Sequence, residues 1–365
     1  MGRGDGVADG GGGQGEGMTT SQPDFIFNRP GALIAAVPAV LGFVPEKSLV
    51  LVTLDRGEMG AVMRLDLLPR LVDTVDRIAE VAGAVRPDAA IAVIVDEDGA
   101  QCPMCAEDFR ELGSALTDVL ELQGITLIAV HVVDRIAAGG RWRCADMCGA
   151  TGSVDDPLSS PLAMAAVLDG RRLYARREEL QQVIEVTDTA RVRRLARRIR
   201  RRLTARAECD SDSARRDVEQ AMAAAARMRD GAQPSDNELA ELACGLADVN
   251  VRDTLFALAV GDTAAEAEML WAVLARTLPK PGRVEALVLL AFSAYARGDG
   301  PLAGVALDAA LRCNGGHRMA SMLDVALQSG MRPEQIRELA ASGYRVAERL
   351  GVSLPPRRAF GRRAG

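Results

Sequence analysis

The chain has 365 residues, of which 48% are hydrophobic and 26% are charged. This length and balance are typical of a folded protein with a large apolar core and room for two domains. The formal net charge of −6 excludes a whole-chain affinity for nucleic acid or anionic membranes, although it allows a local basic surface. No uninterrupted run of about 18 apolar residues occurs, so we expect no contact with a membrane core.

The first 17 residues, MGRGDGVADGGGGQGEG, are rich in glycine and acidic residues. They lack the basic start and the apolar centre of a secretion signal. We therefore predict a disordered tail over residues 1–20, with Met18 as an alternative start codon, and a cytoplasmic protein with reduced cysteines. At the other end, the arginine-rich residues 352–365 predict a second flexible tail.

Residues 21–185 alternate between strand and helix patterns, which predicts an α/β domain. The first two strands are separated by a short turn that contains Gly57, as in a hairpin. A hairpin followed by strand–helix–strand units requires a mixed sheet with helices packed on it. The predicted strands cover 48–54, 60–67, 90–95 and 125–133, and the predicted helices cover 72–84, 107–122 and 161–168.

Residues 186–351 read as helices throughout, beginning with long segments at 189–206 and 214–229. Ser235 with Glu238 three residues later is a capping-box pattern, which predicts a helix start. Helices over 284–297 and 301–313, joined by a glycine turn, resemble a tetratricopeptide hairpin, although a plain helical bundle is an equal alternative. We predict an all-α, partly tetratricopeptide-like domain.

Several segments together resemble the actinobacterial domain-of-unknown-function family 4192. They are PGALIAAVPAVLGFVPEKSLVLVTL (30–54), RLDL (64–67), RWRCADMC (141–148), VRDTLFA (251–257) and ALVLLAFSAYARGDGPLAGVALDAAL (286–311). The resemblance extends from about residue 30 to about residue 330, which is most of the chain. It implies a bacterial setting, and it supplies no activity, cofactor or mechanism.

Two pairs of cysteines follow consecutive predicted strands. Cys102 and Cys105 precede a helix, and Cys144 and Cys148 lie in the RWRCADMC segment. Loops at one sheet edge could bring all four thiols around a tetrahedral structural zinc ion. Alternatively, Cys102 and Cys105 form a redox pair at a helix start, as in thioredoxin-like proteins. Such sites also use a cis-proline, and the absence of any proline between residues 125 and 143 disfavours this interpretation. A third interpretation, which we favour, is that all four are ordinary part-buried thiols, so no cofactor is certain.

Two further sets of charged residues are candidate sites. Asp66, Asp96 and Asp134 follow predicted strands, where carboxylates of an α/β sheet often hold a metal or a small ligand. Acidic residues at strand ends are also common turn formers.

The helix at 189–206 carries nine arginines, of which Arg194, Arg197, Arg198 and Arg201 are candidate phosphate contacts for a nucleic acid. Its acidic flanks and the low aromatic content favour a solvated or internally paired face instead.

Catalytic patterns are scarce. Of the two histidines, His131 lies inside an apolar strand, where we expect a satisfied sheet residue, and His317 stands at a helix start. No glycine-rich phosphate loop is present. We therefore predict a non-enzymatic regulatory or adaptor protein that binds another protein through helices 264–328. The alternatives are a metal- or small-ligand-binding α/β enzyme and a nucleic-acid binder that uses the arginine helix.

Overall fold

A computed structural model describes residues 29–67, 75–84, 86–146, 148–168, 173–205, 211–329 and 331–358. The tail predicted over residues 1–20 lies outside these residues, as does part of the C-terminal tail. Within 352–358 the chain packs against the helices, since the Arg358 N–H donates to the carbonyl of Val260 at 2.8 Å. The Tyr344 hydroxyl donates to the carbonyl of Pro355 at 2.9 Å.

The described residues contain one six-stranded sheet with the strand order β2-β1-β3-β4-β5-β6. β1 and β2 form the predicted antiparallel hairpin, β3 and β4 run parallel, and the other neighbours are antiparallel. The prediction of a mixed sheet is therefore confirmed. The strands are β1 (Ser48–Asp55), β2 (Glu58–Asp66), β3 (Ala89–Val95), β4 (Thr126–Val133), β5 (Arg141–Cys144) and β6 (Thr151–Ser153).

Helices cover the two faces of the sheet and form the rest of the fold. The helices of the first half are α1 (Pro30–Leu41), α2 (Val75–Gly83), α3 (Pro103–Leu122), α4 (Pro161–Leu168) and α5 (Arg177–Gln182). Those of the second half are α6 (Thr189–Ala205), α7 (Ser211–Met228), α8 (Asp236–Gly245), α9 (Val249–Leu255), α10 (Ala264–Thr277), α11 (Gly282–Arg297), α12 (Gly300–Cys313), α13 (Arg318–Gln328) and α14 (Pro333–Leu350). A 3₁₀ helix, Phe256–Val260, follows α9.

The central strand β1 is buried on both faces, which explains its continuous apolar sequence. Leu49 and Leu51 face a core shared with α2 and α3. Val50 and Val52 face the other way, into a core that also contains residues of α1 and of the second-half helices. The side chains alternate because successive residues of a strand point to opposite faces.

That second core is continuous from the sheet to the helical half, and it includes Ile91 of β3, Leu195 of α6 and Trp271 of α10. The boundary predicted at residues 185 and 186 therefore crosses a shared apolar interior, and the division into two domains stays a prediction. None of the described helices is both long enough and apolar enough to cross a membrane.

Candidate functional site

The ends of β2, β3 and β4 meet at one edge of the sheet. Ser48 of β1 pairs with Asp66 of β2 and with Val95 of β3, and Val95 in turn pairs with Val133 of β4. The three predicted aspartates, Asp66, Asp96 and Asp134, therefore lie along this edge. The loop that carries Cys102 and Cys105 leaves from the same edge, because α3 follows β3. Cys144 lies further from this edge, since β5 runs antiparallel to β4 and pairs Cys144 with His131.

The three aspartates differ in what they contact. Asp134 is buried, and its Oδ1 accepts hydrogen bonds from the backbone N–H groups of Arg135 at 2.6 Å and Arg141 at 2.8 Å. Asp66 accepts from the guanidinium of Arg64. Asp96 has one buried carboxylate oxygen, Oδ1, with no hydrogen-bond partner. A ligand role for the three stays a prediction.

The first cysteine pair lies at the N-terminus of α3. This helix begins at Pro103, four residues before its predicted start, because a proline suits the first helical position and Cys102 precedes it as the cap residue. The backbone N–H of Cys105 and the Cys105 thiol lower the pKa of Cys102. Hydrogen bonding to Cys102, with burial, raises the pKa of Cys105. Cys102 is therefore the more easily ionised thiol of the pair.

The second cysteine pair lies at the turn between β5 and β6. The donor atoms of Cys144, Asp146 and Cys148 all lie within 4.8 Å of one another. The Cys148 N–H donates to Asp146 Oδ1 at 3.0 Å, which folds the loop back on itself and lowers the pKa of Asp146. Burial, together with the neighbouring Asp146 and Cys148, raises the pKa of Cys144 to about 12. These are two sulfur donors and a carboxylate at one turn.

The two cysteine pairs are neighbours across a cleft of about 460 Å³, which both Cys102 and Cys144 line. The side chains of Cys105 and Cys144 nevertheless lie on different faces of the sheet. Cys105 packs against the core between the sheet and α3. Cys144 lies on the same strand face as Trp142, which packs against the opposite core. Within the described chain, the close donor group includes neither Cys102 nor Cys105, and a four-cysteine zinc site stays a prediction.

His131 of β4 lies beside the second cysteine pair. It is 6% exposed, its ring packs edge-to-face against Trp142 with 5.0 Å between centroids, and its Nδ1 is buried without a hydrogen-bond partner. Burial lowers the pKa of this imidazole. Its direct cross-strand partner is Cys144. The sequence alone gave no sign of this neighbour, because β5 is only four residues long and its register was unknown.

Residues 30–334 match the model of a protein family described as "Domain of unknown function (DUF4192)". The chain belongs to this family. The match includes the sheet, both cysteine loops and most of the helical half. The comparison with curated proteins and that with solved structures gave no match.

In this DUF4192 chain the arginine helix α6 has a paired side and an open side. Arg191 contacts Asp236 at 2.8 Å, Arg202 contacts Glu241 at 3.2 Å, and Arg198 donates to Asn237. These contacts attach α6 to α8. On the open side Arg193, Arg194, Arg197, Arg200 and Arg201 are exposed. Of the four predicted phosphate contacts, Arg198 therefore belongs to the paired side.

The DUF4192 helices at 264–328 pack in sequence order, with α11 between α10 and α12 and with α13 on α12. His317 has a structural role here, since its Nδ1 accepts from the Ala320 N–H at 3.1 Å and its Nε2 lies 3.2 Å from Glu285. On the outer side of α13, Met322 and Val325 are 60% and 66% exposed. They lie one turn apart, so they form one apolar surface.

Proposed function

We propose that this DUF4192 protein is a non-enzymatic regulatory or adaptor protein that binds another protein through helices 264–328. The observation that carries the proposal is the exposed pair Met322 and Val325 on α13. Large apolar side chains that adjoin on a surface are typical of protein interfaces. The actinobacterial origin and the tetratricopeptide likeness stay predictions alongside it.

The packing of α13 explains why its outer side is available. Leu323 and Ala326 are buried, and α13 packs on α12 and α11. Helices stacked in this way need either a polar outer face or a further unit that covers the apolar one. Since Met322 and Val325 are apolar, we expect them to receive an apolar segment of a partner protein.

The test uses the full chain with Met322→Glu and Val325→Glu together, compared with a control variant, Met164→Glu with Val167→Glu, which makes the same two changes at the same spacing on the exposed side of α4. Chemical cross-linking in the native host should capture a partner with the native chain and with the control. The double variant should lose that partner while its circular dichroism stays native. Capture that is equal for all three proteins, or a patch occupied only by a second copy of the chain, would contradict the proposal.

Nucleic-acid binding is a second candidate function, and the open side of α6 favours it. Five exposed arginines on one helix face make a positive surface in a chain whose net charge is −6. Phosphate binding of this kind weakens steeply with salt because counterions are released on binding. Fluorescence anisotropy with a random duplex and a random single strand, at two salt concentrations, tests it. Arg194→Ala with Arg197→Ala should weaken binding and reduce its salt dependence, and no binding at low salt removes this candidate.

A further inference from the structure

The turn between β5 and β6 holds three metal-binding side chains, and the neighbouring strand β4 places a fourth, His131, beside them but outside the group whose donor atoms lie within 4.8 Å of one another. The three in the turn are Cys144, Asp146 and Cys148. Such an exposed group is common without an ion, so the fourth side chain decides the question.

The strand register places the His131 imidazole beside Cys144. The two residues are cross-strand partners, and the Ala145 N–H donates to the carbonyl of Val130 at 2.8 Å. This bond makes His131 and Cys144 a non-hydrogen-bonded pair, in which the side chains share a face and approach most closely. Their Cβ atoms are then about 4.5–5.5 Å apart. The Trp142 ring also contacts the imidazole, at 5.0 Å between ring centroids.

His131 is also a polar group without a partner. The residue is 6% exposed, and its Nδ1 is buried with no hydrogen bond. A buried nitrogen in this state costs about 1–3 kcal/mol, so a native protein normally supplies a partner. Serine, threonine and water are common partners, but the groups next to this imidazole are a thiol and the loop that carries Asp146 and Cys148. A metal ion held by that loop would satisfy the imidazole.

We propose that Cys144, Cys148, His131 and Asp146 bind one divalent ion of the zinc class. Two thiolates, one imidazole and one carboxylate are ligands that zinc accepts, and four protein ligands make a closed, structural site. Ligand bonds of about 2.0–2.3 Å require the exposed side chains of Cys148 and Asp146 to move toward the imidazole, because His131 lies outside the close donor group. Asp146 and Cys148 are exposed, so an ion can reach the site from solvent through the turn itself.

The proposed ligand set excludes Cys102 and Cys105, although Cys102 lines the same cleft as Cys144. Cys105 packs into the core on the α3 side of the sheet, whereas His131 shares the other face with Trp142. The ion would connect β4, β5 and the turn after β5, and it would leave the α3 thiols free. The proposal does not depend on the protein-binding role of the helices.

The test begins with the full chain, reduced and free of any histidine tag, titrated with Zn²⁺ in competition with a chromogenic chelator. We expect one ion per chain, and Co²⁺ in its place should show the absorption of a tetrahedral thiolate site. Cys148→Ser, which changes an exposed residue, should weaken binding more than about 100-fold, because even residues that only support a ligand change affinity by about 10–100-fold. Cys102→Ser with Cys105→Ser is the matched control and should bind like the native chain.

Metal binding by His131 can be measured by NMR without substituting this buried residue. The chain has only two histidines, so ¹⁵N-histidine labelling gives two imidazole spectra, and His317→Asn assigns them. Zinc should shift the His131 ring nitrogens and leave those of His317 in place. The proposal is overturned if the native chain binds no zinc, if neither imidazole responds, or if the Cys102 and Cys105 control loses the ion.

Discussion

Arg143 of β5 donates a hydrogen bond from its Nε to the backbone carbonyl of Ala100 at 2.9 Å. Ala100 lies in the loop just before Cys102, and Arg143 immediately precedes Cys144. This single bond therefore connects the loops that carry the two cysteine pairs, and it holds the two walls of the cleft between them together.

Replacing Arg143 should loosen that connection. Arg143→Ala removes a charged donor that is part-buried, which we expect to cost about 1.5–3 kcal/mol of unfolding free energy. The neighbouring Arg141→Ala is the control, because that side chain is exposed, and it should change stability by less than about 0.5 kcal/mol. Urea unfolding followed by circular dichroism measures both, and equal stability of the two variants would refute a structural role for this bond.

A pair of glycine substitutions tests how closely the helices of the second half approach each other. A Cβ at Gly343 of α14 would lie 2.6 Å from the Asp253 carbonyl oxygen and 3.0 Å from Ala257 Cβ. Gly343→Ala should therefore destabilise the chain by about 1–3 kcal/mol through overpacking.

At Gly304 of α12 the nearest atom to a new Cβ is Leu327 Cδ2, at 3.5 Å. Gly304→Ala should be neutral or stabilising by up to about 1 kcal/mol, because alanine favours a helix. Thermal unfolding distinguishes the two cases. A Gly343→Ala variant as stable as Gly304→Ala would mean that α14 can move away from the Asp253 backbone without cost.

The cap of α8 should make stability depend on pH. The Ser235 hydroxyl accepts from the Glu238 N–H, and Glu238 accepts from the Ser235 N–H at 2.9 Å. The second bond lowers the pKa of Glu238 below its ordinary value of 4.5. Because the unfolded state binds a proton more readily, this contribution is present above pH 4.5 and is lost as the pH falls through the folded-state pKa.

Two variants distinguish the contribution of the Ser235 hydroxyl from that of the Glu238 charge. Ser235→Ala should cost about 1 kcal/mol at neutral pH. Glu238→Gln should be less stable than the native chain at neutral pH, and this difference should shrink in acid. Chemical unfolding at neutral pH and near pH 3 compares them, and a difference that grew in acid would contradict the assigned sign.

The thiols should react in an order set by their surroundings. In the reduced, metal-free chain, the pKa of Cys102 is lowered by the N-terminus of α3, and that of Cys144 is raised to about 12 by burial. Since the thiolate is the nucleophile, iodoacetamide at neutral pH should modify Cys102 well before Cys144. Peptide mass spectrometry over time reports the order, and earlier modification of Cys144 would contradict these assignments.

Most of the fold could be predicted from the sequence because each element carries its own periodicity and its own end signals. The buried run of β1, the Ser235 cap and the glycine turn at 298–300 all identified real elements. The start of α3 was missed because Cys102-Pro103-Met104-Cys105 reads as a loop motif. The structure shows that the proline instead takes the first helical position, with Cys102 as the cap residue.

The candidate site was harder to predict because its members meet through pairing, not through sequence spacing. Cys144 and Cys148 were visible as a motif, but which side of the sheet Cys144 faces depends on the register of β5 against β4. A shift of one residue in that register would have placed Arg143, not Cys144, beside His131. For the same reason the sequence predicted a satisfied sheet residue at His131, whereas its buried Nδ1 has no hydrogen-bond partner.

The apolar interior that runs from β3 through α6 to α10 makes the two halves of the chain depend on each other for folding. Cutting the chain near residue 185 would expose apolar surface on both fragments, so neither fragment should fold stably on its own. We expect the two halves to unfold together in one cooperative transition, so that damage to either half lowers the stability of both.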